Sequence, residues 1–178
     1  MTKLTSISQI NVILGNAIVA QTQLDKKYVL NGKSLYGVNR EKIDDYIATT
    51  FKDDDSYVVF LLEPDESSDD MTEETVENKI DVYDSYLFTI MCYGTRYNEL
   101  ALQLKSRLLT EECQLSIQNQ GIHIQSIDLS RGISEFINDT LVNRRDVMLH
   151  ISCQFEVSKV SNAEEMNSMN ETFKVETV

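Results

Sequence analysis

Apolar residues recur at helical spacing almost from the start of the chain. Ile7, Ile10, Leu14, Ala17 and Ile18 share one helical face, and Ser6 with Gln9 has the Ser-x-x-Gln form of a capping box. The spacing predicts a helix from about Ser6 to Leu24. From Lys26 to Asn39, Gly32 and Gly37 stand among Tyr28 and Tyr36, which reads as an irregular segment or a short hairpin. Ile43, Tyr46, Ile47 and Phe51 predict a short helix or a helical turn within Arg40 to Phe51. Tyr57 to Leu62 is a continuous apolar run closed by Pro64, the pattern of a strand buried on both faces. Asp65 to Asn78 has almost nothing to bury and reads as an exposed acidic loop.

The next segment changes period. In Lys79 to Tyr93, Ile80, Val82, Tyr86, Phe88, Ile90 and Cys92 alternate onto one face, with only Asp84 out of pattern. This predicts a long strand, twisted or bulged at Asp84. Gly94 ends it, and Thr95 is placed to cap a helix reaching Thr110, with Tyr97, Leu100, Ala101, Leu104 and Leu108 on one stripe. Gly121 opens a strand, Ile122 to Ile124, that changes face before Ile127 and Leu129. Ser130 to Asn143 reads as irregular. A last strand then sets Val147, Leu149, Ile151, Cys153, Phe155 and Val157 against Asp146, Met148, His150, Ser152, Gln154 and Glu156.

Two long strands with one polar face each do not suit a doubly wound parallel sheet, whose strands are covered on both sides. The expectation is an α+β fold: a mostly antiparallel sheet with the Ser6 and Thr95 helices packed on its apolar face. A single domain is expected over residues 1–158, acidic loop 65–78 included, followed by a flexible tail over 159–178 that orders only on a partner. The length of 178 residues suits this, since a domain of roughly 150 residues buries about 70% of its unfolded surface. No apolar run approaches a membrane span, and Ser8, Gln9 and Asn11 interrupt the start of the chain where a secretory signal would be apolar. A soluble protein made in a reducing cytoplasm is expected.

Candidate chemistry is sparse. Cys92, Cys113 and Cys153 are odd in number and widely spaced, so they read as buried free thiols. The net charge of −13 disfavours a nucleic-acid reader that works by neutralising phosphates. Gly32-Lys33-Ser34 has the ending of a phosphate-cradling loop, but Lys27 occupies the position where that motif needs its first glycine. The carboxylates of Asp53 to Asp55 and of Asp65 to Glu74 do not have calcium-loop spacing and read as solvated loops. His123 and His150 each sit opposite apolar strand neighbours, and no serine or cysteine has the setting of a nucleophile. No catalytic, cofactor-binding or metal-ligating residue is assigned. Arg144 and Arg145, adjacent on a strand, point to opposite faces; one reaches solvent or a neighbouring subunit while the other pairs with a carboxylate. Tyr83, Tyr86, Tyr93 and Tyr97 gather at the strand-to-helix turn, as core residues that also suit interfaces.

The succession of a long strand ending in Tyr93-Gly94, a helix carrying Glu99, Leu100, Ala101 and Leu104, then Gly121-Ile122 and the arginine-led strand Arg145 to Val157, resembles the tail terminator (neck terminator) proteins of tailed bacteriophages. The resemblance covers about Ser6 to Ser158 and is strongest from Asp81 onward; the acidic insertion at 65–78 and the tail after Ser158 have no counterpart in it. It implies a non-enzymatic α+β subunit of the virion that assembles as a ring, usually six-fold. The ring would cap the head-proximal end of the tail tube, joining tail tube protein to head-tail connector or neck proteins, while DNA passes through its lumen without specific binding. Tyr93, Arg96, Arg144 and Arg145 are the candidates for subunit contacts in such a ring. Another neck or tail ring protein, such as a connector or completion protein, is the neighbouring alternative. An acidic module that mimics nucleic acid is a more distant one, since its carboxylates would follow a helix face and here they gather in loops.

Overall fold

A computed structural model of the chain describes residues 2–32, 46–47, 49–51, 55–65, 73–76, 79–137 and 140–158. The predicted segments 33–39 and 40–45, the carboxylates Asp53 and Asp54, most of the acidic loop, and the tail 159–178 lie outside the described residues. What is described is an α+β fold: a mixed, open sheet with its long helices on one face and, on the other, a helical turn within residues 46–51 held by the Phe51 N–H on the Ile47 carbonyl at 2.9 Å.

Helix α1 covers Ile7–Thr22 and buries Ile10, Leu14 and Ile18, one residue per turn along the face the spacing predicts. Its start differs in detail from a capping box. The Ser6 side chain caps no backbone N–H of the first turn and instead bonds Ser8 Oγ at 2.9 Å, while Gln9 Oε1 accepts from the Thr5 N–H at 2.8 Å. The helix stops before Leu24 because Gln23 turns left-handed at φ 59° and returns its N–H to the Val19 carbonyl. Helix α2, Tyr97–Leu108, buries Leu100, Ala101, Leu104 and Leu108. It begins two residues after the expected cap, with Arg96 and not Thr95 at the N-cap, because a turn closed by the Tyr97 N–H on the Gly94 carbonyl occupies Gly94 to Tyr97. Helix α3, Glu111–Gln118, was not expected from the pattern. Only Cys113 and Ile117 are buried on it, too few apolar positions to register as a period.

Among the described residues seven strands form one sheet: β1 (Val29–Asn31), β2 (Tyr57–Pro64), β3 (Glu73–Val76), β4 (Lys79–Tyr93), β5 (Ile122–Leu129), β6 (Ile133–Ile137) and β7 (Thr140–Ser158). The main path is β1-β2-β4-β7-β5, with β3 added to the start of β4 and β6 to the start of β7. Every pairing is antiparallel except β1 with β2. Two expectations are corrected here. Glu73 to Val76, within the predicted acidic loop, pairs with Lys79 to Val82, and the predicted irregular stretch Ser130 to Asn143 contains β6 and the first turn-side residues of β7.

The centre is the β4–β7 ladder, unbroken from Lys79 opposite Ser158 to Tyr93 opposite Arg144. No bulge occurs at Asp84, which stays in register with Cys153; the register shift lies in β5, between Ile124 and Ser126, where the pattern predicts a change of face. On the helix side Val58, Phe60, Phe88, Ile90, Cys92, Val147, Leu149, Ile151 and Cys153 pack with α1 and α2 into the main core. Ile80 and Val157 stand opposite one another in register, and their side chains lie outside the described set. On the other side, polarity is not uniform as expected. At the Tyr93 end Leu30, Phe51, Tyr57, Val59, Met91 and Tyr93 form a second apolar cluster, which explains why the run from Tyr57 is apolar at consecutive positions. Near the opposite end, Leu4 exchanges backbone bonds with Gln154 and Glu156, and the Thr2 N–H bonds to the Asn119 carbonyl, so the first residues strap the edge beyond β5.

Gly94 joins the two layers. Its φ is +97°, and a Cβ added there would fall on the Asp55 carbonyl oxygen. Gly94→Ala is therefore expected to lower the unfolding free energy by about 1–3 kcal/mol, read from urea unfolding with an unchanged m value. Stability equal to wild type would mean that the turn after β4 tolerates a side chain.

Candidate functional site

A constellation of charged and aromatic side chains lies where β4 ends. Alternation along β7 sends Arg144 and Asp146 to the side away from α1 and α2, and Tyr93, opposite Arg144 in register, points the same way. Tyr93 stacks on Tyr57 with centroids 4.9 Å apart, Tyr57 stacks on Phe51 at 4.7 Å, and Phe51 meets Tyr28 at 5.1 Å. This column covers the face beside the charges and leaves the Tyr93 hydroxyl at its end. There it donates to Glu135 Oε1 at 2.7 Å, while Arg144 Nη1 donates to Glu135 Oε2 at 2.7 Å and to the Tyr93 hydroxyl at 3.3 Å. Arg144 Nε stands 3.3 Å from Asp146 Oδ1 as an ion pair, outside hydrogen-bond geometry, so both atoms are buried without a hydrogen-bond partner.

Burial tunes these groups. Burial and the hydrogen bond to Glu135 push the Tyr93 hydroxyl well above its usual range, so it stays a donor. Burial also raises the Asp146 carboxyl; the Arg144 charge opposes that rise and the Glu135 charge adds to it. On the other face Arg145 bonds the Ser130 carbonyl through Nε at 3.0 Å and Asn98 Oδ1 through Nη1. Ser130 Oγ in turn accepts from the Asp146 N–H at 2.9 Å. The two arginines point to opposite faces, as expected of neighbours on a strand, and both engage partners within the chain. Together they fix the turn from β5 into β6 against β7 and the start of α2.

What this bracket holds is a β-hairpin. Strand β6 pairs only with residues 140–144 of β7, so the pair extends past the end of β4 at Tyr93. Glu135 and Val142 face the bracket and the second apolar cluster. Phe136 and Leu141, directly opposite one another, lie on the other side at 71% and 58% exposure. Large apolar side chains this exposed and adjacent are characteristic of contact surfaces. The hairpin was missed because its apolar positions are few. Its signal was present in Ile133, Phe136 and Ile137, then Asn138-Asp139, then Leu141-Val142: two short apolar runs about turn residues.

Of the four candidate contact residues, Tyr93, Arg144 and Arg145 are thus brought together around the hairpin base, two on one face and one on the other. Arg96 is separate and exposed at the N-cap of α2, in a bidentate pair with Glu99 at 2.6 and 2.8 Å. Such a pair contributes little in water and is easily exchanged. Elsewhere, His150 Nδ1 meets Asp65 Oδ2 at 2.7 Å, and His123 is exposed. Among the described residues no group of three or more His, Cys, Asp or Glu is arranged to hold a metal ion. Cys92, Cys113 and Cys153 are all buried and unpaired, and burial pushes the Cys92 and Cys153 thiols up to about 12. Among the described residues no helix is long and apolar enough to cross a membrane.

No known family model matches the chain, and no curated protein matches it.

The raised carboxyl of Asp146 sets a pH test. A folded-state pKa above the unfolded value gives stability that is full when the group is protonated and is lost as pH rises through the folded value. Asp146→Asn removes that loss. The stability of the variant relative to wild type is expected to improve as pH rises above the ordinary aspartate range, measured by urea unfolding at a series of pH values. A difference that does not change with pH would mean Asp146 titrates as an ordinary surface carboxylate.

Proposed function

We propose that this chain is a ring-forming structural subunit of a phage tail, a tail terminator that caps the head-proximal end of the tail tube. The observation that carries the reading is the projecting hairpin: an exposed Phe136–Leu141 pair on a two-stranded extension, held at its base by Tyr93, Glu135 and Arg144. An apolar contact held out on an unbraced ribbon would be a poor docking element, because ordering it would cost conformational entropy on every association. The bracket fixes it beforehand. The resemblance of the strand, Tyr93-Gly94, helix and arginine-led strand succession supplies the rest of the reading.

A ring closes when one patch meets a different patch on the next copy and the rotation repeats. Among the described residues β1 and β5 end the sheet, and these unlike edges, together with the hairpin, would supply different patches on one subunit. The net charge of −13 suits a channel wall that repels passing DNA, an effect screened beyond about 8–10 Å at physiological salt. In this role the partners are further copies of the chain, the tail tube protein and the head-tail connector or neck proteins, and the location is the virion. A connector or completion protein is the reading to be separated by experiment.

Electron micrographs of tails assembled with and without the chain make that separation. The expected outcome is tubes of uniform length with the chain and overlong tubes without it. Normal-length tails left detached from heads would indicate a connector, and tails unchanged in length and attachment would overturn both.

A further inference from the structure

A cleft of about 570 Å³ opens between α1 and α3, a volume ordinary for a small-molecule site. Its walls come from two continuous stretches, residues 13–23 and 107–120, both described throughout. The two helices run antiparallel. Arg107 Nη1, just ahead of α3, donates to the Gln21 carbonyl in the last turn of α1. Past the other end of α3, the Thr2 N–H, ahead of α1, donates to the Asn119 carbonyl. The cleft follows α3 from Glu112 to Gln120, a length of about 12 Å at the helical rise.

Ile13, Ala17, Cys113 and Ile117 form its floor and belong to the main core or pack against it. Burial raises the Cys113 thiol above its usual range, against the opposing bond from Gln21, so the floor carries no charge at neutral pH. Along the walls stand the uncharged polar side chains of Asn16, Ser116 and Gln120. The charged groups of the lining, Arg107 and Glu112, are both at the end where α1 stops. Among the described residues neither has an ion-pair partner, and they do not pair with each other.

Local structure accounts for part of this arrangement. The Gln21 carbonyl takes one Arg107 N–H, and a carboxylate in the first turn of α3 suits the helix dipole. The guanidinium nevertheless keeps its donors on Nε and Nη2, and the Glu112 carboxylate keeps its acceptor positions. In a chain with 29 acidic against 16 basic residues, a half-buried arginine that faces a cleft without a carboxylate is fitted to receive one from outside.

We infer that the α1–α3 cleft binds a free α-amino acid, with its carboxylate on Arg107, its ammonium on Glu112 and an apolar side chain along the floor towards Ile13 and Ile117. A simple anion would meet Glu112 as well as Arg107, and a simple cation would meet the reverse. A peptide carries its two terminal charges at opposite ends. An α-amino acid carries both on one carbon, as the placing of both charged residues at one end of the cleft requires. The guanidinium fork matches a carboxylate in shape as well as charge. This site lies at the end of α2, whereas the hairpin bracket lies at its start, so the inference stands apart from the ring reading.

Isothermal titration calorimetry of the full chain with L-leucine tests it. N-acetyl-L-leucine lacks the ammonium charge and L-leucinamide lacks the carboxylate, so both contacts are tested on the unaltered protein. Leucine is expected to bind one to one, and each derivative at least about tenfold more weakly. Glu112→Gln, at an exposed position, and Arg107→Lys should each weaken leucine by a similar factor. Glu112→Gln should also abolish the preference for leucine over N-acetyl-L-leucine, a change that general loosening of the helices would not produce. Amide NMR shifts on adding leucine should fall within residues 13–23 and 107–120. No saturable binding, derivatives that bind as well as leucine, or shifts confined to other segments would overturn the inference and leave the ring reading as it is.

Discussion

The rest of the structure depends on one pairing, the antiparallel ladder of β4 on β7. It runs residue for residue along the whole of the 15-residue strand β4. On one side it presents Phe88, Ile90, Leu149 and Ile151 to α1 and α2, and on the other Thr89, Met148, His150 and Ser152. Because side chains alternate with period two, a slip of one residue would turn the core set outward and bury the polar set. The register is therefore fixed by burial. β2 attaches to one margin of the ladder and β5 to the other, and the helices cover the apolar side.

Length beyond that core gives the ladder its second use. β7 continues past Tyr93 and carries β6 with it, so part of the sheet leaves the body that the helices cover. An extension of two strands is marginal by itself. Here it is tied down by a half-buried guanidinium: Arg144, with a side chain 21% exposed, bonds to Glu135 and lies beside Asp146 and Tyr93. Buried ion pairs of this kind are modest contributors to stability, and their better-attested value is in specifying one geometry. In the proposed ring that is the value the hairpin would need, since its exposed pair would dock only at a defined angle to the sheet.

Much of the architecture was legible in the sequence, for physical reasons visible in particular residues. The β7 alternation from Val147 to Phe155 and the α2 stripe of Leu100, Ala101, Leu104 and Leu108 are long, regular and buried as read. The face change in β5 was legible because Ile124 and Ile127 cannot both face the core without a shift. What escaped notice was short or weakly apolar: α3 with two buried residues, β3 with its acidic sequence, and β6 with Phe136 exposed. Of the site, the opposed directions of Arg144 and Arg145 were readable from adjacency on a strand. Their partners were not, because Glu135 and Ser130 lie in the stretch whose pairing was missed, and Asn98 is brought near only by the packing of α2. The second apolar cluster was half legible in the unbroken Tyr57 to Leu62 run. Phe51, which closes it from the far side, gave no local sign of that destination.

The proposed ring would rest on these features: margins that differ from one another, and an exposed Phe136–Leu141 pair on a hairpin tied down at its base. The central claim is that each copy touches two sister copies through unlike surfaces. An electron cryomicroscopy reconstruction of the assembled tail tests it most directly. It should resolve this polypeptide as a ring at the end of the tube, each copy in contact with a neighbour on either side through different residues. A density in which the polypeptide stands as a separate lobe, touching no sister copy and no tube, would contradict the claim.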